Sequence, residues 1–377
     1  MQFIDLAAQR KRLGERLPRA INRVVESGAY IFGPEVAEFE ARMAQYIGTK
    51  HAIGCANGTD ALLIPLMAAG IGAGDAVFVP SFTFAATAEV VALAGAEPVF
   101  VDVNPSDYNI SIDSLEAAIR FIKEHGRLRP RAIIPVDLFG RAADYAAIEA
   151  IAAREGLMVI EDAAQSIGGT VGSRKCGSYG NVAGTSFYPA KPLGCYGDGG
   201  AMFTNDDALA EVLRSLAFHG KGKTQYDNVR VGLNSRLDTI QAAVLIEKLE
   251  ILEEEMDARQ TVAKNYVDGL AGVVRVPDLT EGTRSAWAQF AIETRRRDAL
   301  KAHLAERGIP SVIYYPKPLH AQEAYRHFPT APDGLPVSEA VPQRILCLPM
   351  HPYLEPESVD RIVRAVREFA GNESLTP

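Results

Sequence analysis

Leu157-Met158-Val159-Ile160-Glu161-Asp162-Ala163-Ala164-Gln165-Ser166 begins as four apolar residues and breaks into two carboxylates and a run of small residues. The apolar part lacks the polar alternation of a half-exposed strand, so it reads as a strand buried on both faces. Open α/β sheets bind ligands beyond the carboxyl ends of their strands, which is where the two acids fall. The same pattern repeats outward, between about Lys50 and Asp206. Ala76 to Pro80, Pro98 to Asp102, Ala132 to Val136, Gly184 to Tyr188 and Ala201 to Thr204 read as further strands. Helical stretches lie between them, among them Ser114 to Lys123 and Tyr145 to Arg154. Strands alternating with helices imply βα units and a mainly parallel sheet.

Beyond this region a longer helix is expected over Thr239 to Arg259, with Ile246, Leu249, Leu252 and Met256 at helical spacing. Glu253-Glu254-Glu255 reads as its solvated face. From about Val273 the elements shorten and prolines multiply. The expected division is a large α/β domain over residues 1–255 and a small C-terminal α+β domain over 256–377.

The 377 residues are 47% hydrophobic and 23% charged, which suffices for a large core. With 39 Lys and Arg against 47 Asp and Glu, the net charge of −8 gives no general attraction for nucleic acid or anionic lipid. No apolar stretch approaches the ~18 residues of a membrane span. Met1-Gln2-Phe3-Ile4-Asp5 has an early acid and no apolar run, unlike a signal peptide. Cys55, Cys176, Cys195 and Cys347 are scattered without C-x-x-C spacing, against a disulfide scaffold or a structural zinc. His219 and His351 lack partners at metal-ligand spacing, so no metal is expected. A cytoplasmic protein with reduced thiols is the expectation. Cys195 reads as packing, and Trp287 as core of the small domain.

Three segments carry chemistry. Asn57-Gly58-Thr59-Asp60 opens a helix, and its free N–H groups form either a phosphate seat or an ordinary cap. Asp162 either caps the next helix or pairs, buried, with a protonated ring nitrogen. The third runs Ser186-Phe187-Tyr188-Pro189-Ala190-Lys191-Pro192-Leu193-Gly194-Cys195-Tyr196-Gly197-Asp198-Gly199-Gly200-Ala201. One lysine in an apolar, glycine-rich setting is suited to act as an amine nucleophile. A Schiff-base lysine needs an electron-sink cofactor, a phosphate seat and an acid for the pyridine nitrogen, and the elements for all three stand here in order.

With these residues the chain resembles the DegT/DnrJ/EryC-type sugar aminotransferases. The resemblance runs from Phe3-Ile4-Asp5-Leu6 to Leu348-Pro349-Met350-His351-Pro352. The three segments above carry it, together with Ser27 to Pro34 and Gly232-Leu233-Asn234-Ser235-Arg236-Leu237-Asp238. It implies fold-type I: a mainly parallel, seven-stranded-type sheet flanked by helices, plus the small domain. It implies pyridoxal 5'-phosphate held as an aldimine by Lys191, with pyridoxamine phosphate as intermediate. Lys191 would move the proton, Asp162 would hold the ring nitrogen protonated, and Gln165 would meet the phenolic oxygen. Phe84 would stack on the ring, with Phe82 second in line. Thr59, Asp60 (through its backbone N–H) and Ser186 would hold the phosphate. Asn234 would reach the phosphate of a neighbouring subunit, which implies a homodimer with shared active sites.

Tyr30, Arg236, Tyr314, Tyr315 and His320 would face the substrate by the same resemblance. Without it, Arg236 reads as one half of a surface ion pair with Asp238. Many members carry histidine where Tyr314 stands, so no histidine role is carried over. The implied reaction transfers an amino group from L-glutamate to a nucleotide-linked keto sugar. A related sugar dehydratase, or a regulatory protein retaining the fold, are the alternatives. Dehydrating members typically replace the lysine by histidine, and a degenerate binder would have lost Lys191 or Asp162. The lysine segment looks like the branch that aminates C3, and is most similar to enzymes acting on UDP-2-acetamido-2-deoxy-3-oxoglucuronate.

Overall fold

The computed structural model describes residues 1–224, 226–371 and 374–377. Among them, β1 (His51–Cys55), β2 (Asp75–Pro80), β3 (Glu97–Val101), β4 (Arg129–Ile133), β5 (Met158–Asp162), β6 (Val182–Ser186) and β7 (Gly200–Thr204) form one sheet. Their order is β1-β7-β6-β5-β4-β2-β3. β2 to β6 pair in parallel, while β7 runs antiparallel to both neighbours. β2 is buried along its whole length, as its unbroken Ala76-Val77-Phe78-Val79 core requires.

Two strand expectations need correction. β1 lies outside the expected set, because His51-Ala52-Ile53-Gly54-Cys55 is neither continuously apolar nor free of glycine. β4 starts three residues earlier than expected, at Arg129, and gives up Ile134 to Val136. Asp75, buried at the head of β2, draws the polar end of β4 into the sheet through Arg129, 2.8 Å away, and Arg131, 3.4 Å away. Ile134 to Val136 then lead toward the carboxyl end of the sheet.

Helices cover both faces. Ile112–His125 shows how the sequence sets their limits. Ser111 caps its start by accepting the Ser114 N–H, and Gly126 ends it in the left-handed region at φ 62°. Leu115, Ala118, Ile119 and Ile122 form its buried stripe.

The single helix expected over Thr239 to Arg259 is two, Thr239–Leu249 and Leu252–Leu270. The apolar spacing runs on through the break, but Ile251 turns inward to pack with Leu13, Leu17 and Val244. Glu255 also departs from the expected solvated face. It is buried, and its carboxylate accepts hydrogen bonds from Gln9 Nε2 at 3.0 Å and from the Tyr353 hydroxyl. Leu252 and Met256 pack with the larger lobe, whereas Val262, Tyr266 and Leu270 join Phe290, Leu346, Leu348 and Ile362 in the smaller one. The expected division at 255/256 therefore falls inside this helix.

The smaller lobe is built on an antiparallel pair, Phe290–Glu293 with Ile345–Leu348. Trp287 is buried in its core, its indole N–H donating to Gln260 Oε1 at 2.9 Å. No helix among the described residues is long and apolar enough to cross a membrane. The four cysteines are buried and unpaired.

Candidate active site

β6 ends at Ser186, and the chain passes through Lys191 before returning as β7. The loop closes on itself: the Lys191 N–H donates to Tyr188 O at 2.9 Å and the Cys195 N–H to Phe187 O at 2.7 Å. At Gly194 a Cβ would lie 2.6 Å from both Tyr188 O and Pro189 O, so any larger residue would force the loop apart. The Lys191 side chain is half-buried. Burial pulls its ammonium below the ordinary lysine value, while the Asp162 charge acts in the opposite sense.

Asp162 is the last residue of β5. Successive strand residues face opposite sides of a sheet, so Glu161 and Asp162 part company despite being neighbours. Asp162 is 5% exposed. Its Oδ2 accepts from the Thr87 hydroxyl at 3.0 Å and its Oδ1 from the Ala164 N–H at 3.2 Å. No cation among the described residues pairs with it at contact distance. Burial raises its proton affinity, and the Ala164 amide, the Thr87 hydroxyl and Lys191 lower it in that order. Such a carboxylate suits a ligand that brings a protonated nitrogen.

Gln165 follows on the same turn. Its Oε1 accepts the Phe139 N–H at 2.9 Å, which leaves Nε2 pointing the other way, 3.4 Å from the Tyr315 hydroxyl. The amide therefore offers donors toward the site. On the opposite face Glu161 accepts the Gly177 and Tyr179 N–H groups beside Asp137. Asp137 in turn accepts from Ala143 N, the Tyr145 hydroxyl and the Ser166 hydroxyl. Burial raises both carboxyls, and each sits beside the other.

The third element is the helix Gly58–Ala68. Asn57 caps it, its side chain accepting the Asp60 N–H at 2.8 Å. With the Asp60 amide so occupied, the free donors are the Gly58 and Thr59 N–H groups and the Thr59 hydroxyl. None of these has a protein partner among the described residues. Gly58 lies so close to Ser186 that a Cβ there would stand 2.6 Å from Ser186 Cβ. The helix start and the end of β6 thus converge on one small pocket of donors, the composition of a phosphate seat.

Around these groups stand aromatic and cationic side chains. Phe84 is 57% exposed, its ring 6.4 Å from that of Tyr315, whereas Phe82 is fully buried against Tyr108 and Tyr315. Only Phe84 of the two has a free face. Tyr314 packs edge-on to Phe3 at 6.3 Å. His320 is held at both ring nitrogens, by Ser81 Oγ at 2.6 Å and Glu339 at 3.4 Å. Tyr30 is exposed, and its carbonyl accepts the Thr239 N–H at 3.0 Å.

Ser235 Oγ accepts the Ala56 N–H at 3.0 Å, tying the Asn234 to Arg236 segment to the end of β1. Asn234 itself is exposed. The surface ion pair between Arg236 and Asp238 is not formed among the described contacts. Instead the guanidinium sits over Phe218 at 5.3 Å and Phe32 at 5.9 Å, because flat apolar rings suit a weakly hydrated cation.

Thr87 and Asp137 escape a reading of the sequence. Thr87 lies in the helix Ala86–Leu93 that follows β2, and Asp137 just beyond β4. The rule that ligands gather at strand ends covers both, but neither lies in a glycine-rich or acidic motif.

A model of the DegT/DnrJ/EryC1/StrS aminotransferase family matches residues 11–367. The UDP-2-acetamido-2-deoxy-3-oxo-D-glucuronate aminotransferase of Pseudomonas aeruginosa is 47% identical, over 97% of this chain and 99% of that protein. A crystal structure of a DegT DnrJ EryC1 StrS aminotransferase from Brucella abortus is 66% identical, with TM-score 0.98 over 99% of this chain and 100% of that one. NtdA from Bacillus subtilis, solved with bound cofactor PMP, is 30% identical, with TM-score 0.89 over 98% of this chain and 85% of that one.

Proposed function

Because the chain belongs to the DegT/DnrJ/EryC1/StrS aminotransferase family, we propose that it moves an amino group from L-glutamate to C3 of UDP-2-acetamido-2-deoxy-3-oxoglucuronate. It is a pyridoxal-phosphate-dependent aminotransferase of nucleotide-linked keto sugars. One observation carries the assignment of residues: an amine lowered by burial, Lys191, in the field of a buried carboxylate, Asp162, whose oxygens meet only hydroxyl and amide donors.

Pyridoxal phosphate, when bound, supplies an aldehyde for the amines and a ring that takes up electron density as the Cα–H bond breaks. Asp162 holds a proton on the ring nitrogen. Gly58 and Thr59 offer N–H groups, and Thr59 and Ser186 hydroxyls, to the phosphate. Gln165 Nε2 donates to the phenolic oxygen, and Phe84 covers one ring face. Lys191 Nζ, disposed toward its neutral form, accepts the proton from the donor's Cα and delivers it to the cofactor's C4′. In the second half-reaction it carries the proton back, and the sugar leaves with the amino group. Two half-reactions through one site give ping-pong kinetics.

Arg236, stacked on two rings and without a carboxylate partner among the described residues, is a fitting counter-ion for a uronate carboxylate. Tyr30, Tyr314 and Tyr315 complete the substrate side in this reading, whereas His320, with its ring nitrogens held by Ser81 and Glu339, does not join them. Asn234 serves the phosphate of a second copy, so the working unit is a homodimer, and the compartment is the cytoplasm.

An absorbance spectrum of the purified protein, repeated after adding L-glutamate, tests this reading. A visible band that gives way to one in the near ultraviolet is expected, with amino sugar formed once the keto sugar follows. A protein still colourless after incubation with pyridoxal phosphate would overturn it.

A further inference from the structure

Lys248 is among the largest fully buried side chains of the protein, and the chemistry above makes no use of it. It lies in the last turn of the helix Thr239–Leu249, where Leu or Met would satisfy the surroundings. Burying an amine is costly unless a polar group compensates it. The compensating group is a carbonyl of the lysine loop: Nζ donates to Gly194 O, and the amine stands 4.5 Å from the centroid of the Tyr196 ring. Burial lowers the ammonium to about 8, against the pull of Glu255 and Cys195.

Gly194 is where the loop folds back against Tyr188 O and Pro189 O, and the Lys191 N–H ends on Tyr188 O. Two turns earlier on the same helix, Gln241 pins the next residue but one. The Tyr196 N–H donates to its Oε1 at 2.8 Å and its Nε2 to Tyr196 O at 3.3 Å. The helix thus grips the loop on either side of Cys195.

We propose that Lys248 is a positioning residue for Lys191: by holding the Gly194 carbonyl it fixes the loop that aims the reactive amine. The proposal rests on Lys191 being the cofactor-carrying lysine. Misplacing a reacting group by about 1 Å costs on the order of 100-fold in rate.

The test compares the wild type with Lys248→Met, Lys248→Arg and Gln241→Leu. In the apoprotein, hydrogen exchange of the Lys191, Cys195 and Tyr196 amides should rise about tenfold in Lys248→Met. With pyridoxal phosphate, its kcat should fall about 10- to 100-fold, KM values should stay within twofold, and the circular dichroism of the bound cofactor should shrink. Lys248→Arg, which keeps a donor, should regain much of each signal. Gln241→Leu, altered on a less buried face, should move all three in the same direction by less. Unchanged exchange and dichroism in Lys248→Met, or in Gln241→Leu should the methionine variant not fold, would overturn the proposal. So would raised exchange with an unchanged kcat. A wild type that takes up no pyridoxal phosphate would overturn the assignment of Lys191, and this proposal with it.

Discussion

Asp162 and Gln165 are 5% and 3% exposed, whereas Tyr30 and Phe32, at the other side of the same site, are 50% and 57% exposed. The first pair leaves the end of β5, and every side-chain oxygen they carry meets an N–H or O–H of the same chain. The second pair lies on a loop held chiefly through its backbone, where Thr239 donates to Tyr30 O and its Oγ1 accepts the Gly33 N–H. Ile31, Val229 and Val231 are likewise exposed large apolar residues. The difference teaches that the groups proposed to meet the cofactor ring are held by this chain's own hydrogen bonds before anything binds. The substrate side is open surface, which the proposed second copy would cover. Groups on the first side should set the rate, and groups on the second should set affinity.

The largest effect that would break this division is expected at Lys191. Lys191→Ala should lose at least ~10⁴-fold in turnover, since nucleophile and proton carrier vanish together. Residual turnover above a few per cent, measured with both substrates saturating, would move the chemistry elsewhere. Asp162→Asn should fold normally and lose about 10²–10³-fold in kcat, the scale for removing one preorganised electrostatic partner. Rapid-mixing absorbance would show the loss in both half-reactions. On the open side, Arg236→Ala should raise KM for the uronate sugar about 10- to 100-fold, the worth of a charge-assisted hydrogen bond. The glutamate half-reaction takes place without the sugar, so an unchanged KM for glutamate and an unchanged cofactor spectrum beside a raised sugar KM would sharpen the contrast. A kcat loss in that variant would instead blur it.

The smallest effect concerns Thr87. Its hydroxyl lowers the proton affinity of Asp162, so Thr87→Val should raise that affinity. The carboxylate works ionised, and the acid limb of the kcat/KM profile should therefore move to higher pH. At the plateau the carboxylate is ionised with or without the hydroxyl, so the rate there should change only about threefold, less than the ~1.4 kcal/mol that a tenfold change requires. An acid limb that stays put would detach Thr87 from the ionisation of Asp162.

The sheet was legible where Val, Ile and Phe follow one another, as in Ala76 to Pro80, and illegible at β1, where a histidine and a glycine dilute the signal. The break after Leu249 left no trace in the spacing because Ile251 is itself apolar; only its packing on Leu13 and Leu17 reveals the turn. Glu255 read as solvent-facing for a related reason. Its partners, Gln9 and Tyr353, lie 246 and 98 residues away, beyond the reach of any local pattern. In the proposed site, Lys191 and Asp162 stood out because each lies at or just beyond a strand end in an unusual local composition, and Gln165 stood out only through the family resemblance. Thr87, Asp137 and Lys248 did not, since each gains its meaning only from a contact made across the fold.

The lysine segment is a hairpin connection between β6 and β7, not a crossover through a helix, and that constrains how the gene can drift. The Phe187 N–H to Gly199 O and Cys195 N–H to Phe187 O bonds close the segment, so any change of length has to be taken up by the turn that carries Lys191. β1 pairs with β7 alone, so the strand that leads into Asn57 and Gly58 rests on where this segment delivers β7. Length in this segment is thus a shared dimension of the amine and the anion seat: changes in length are not free to accumulate there, and neither is a larger residue at Gly194.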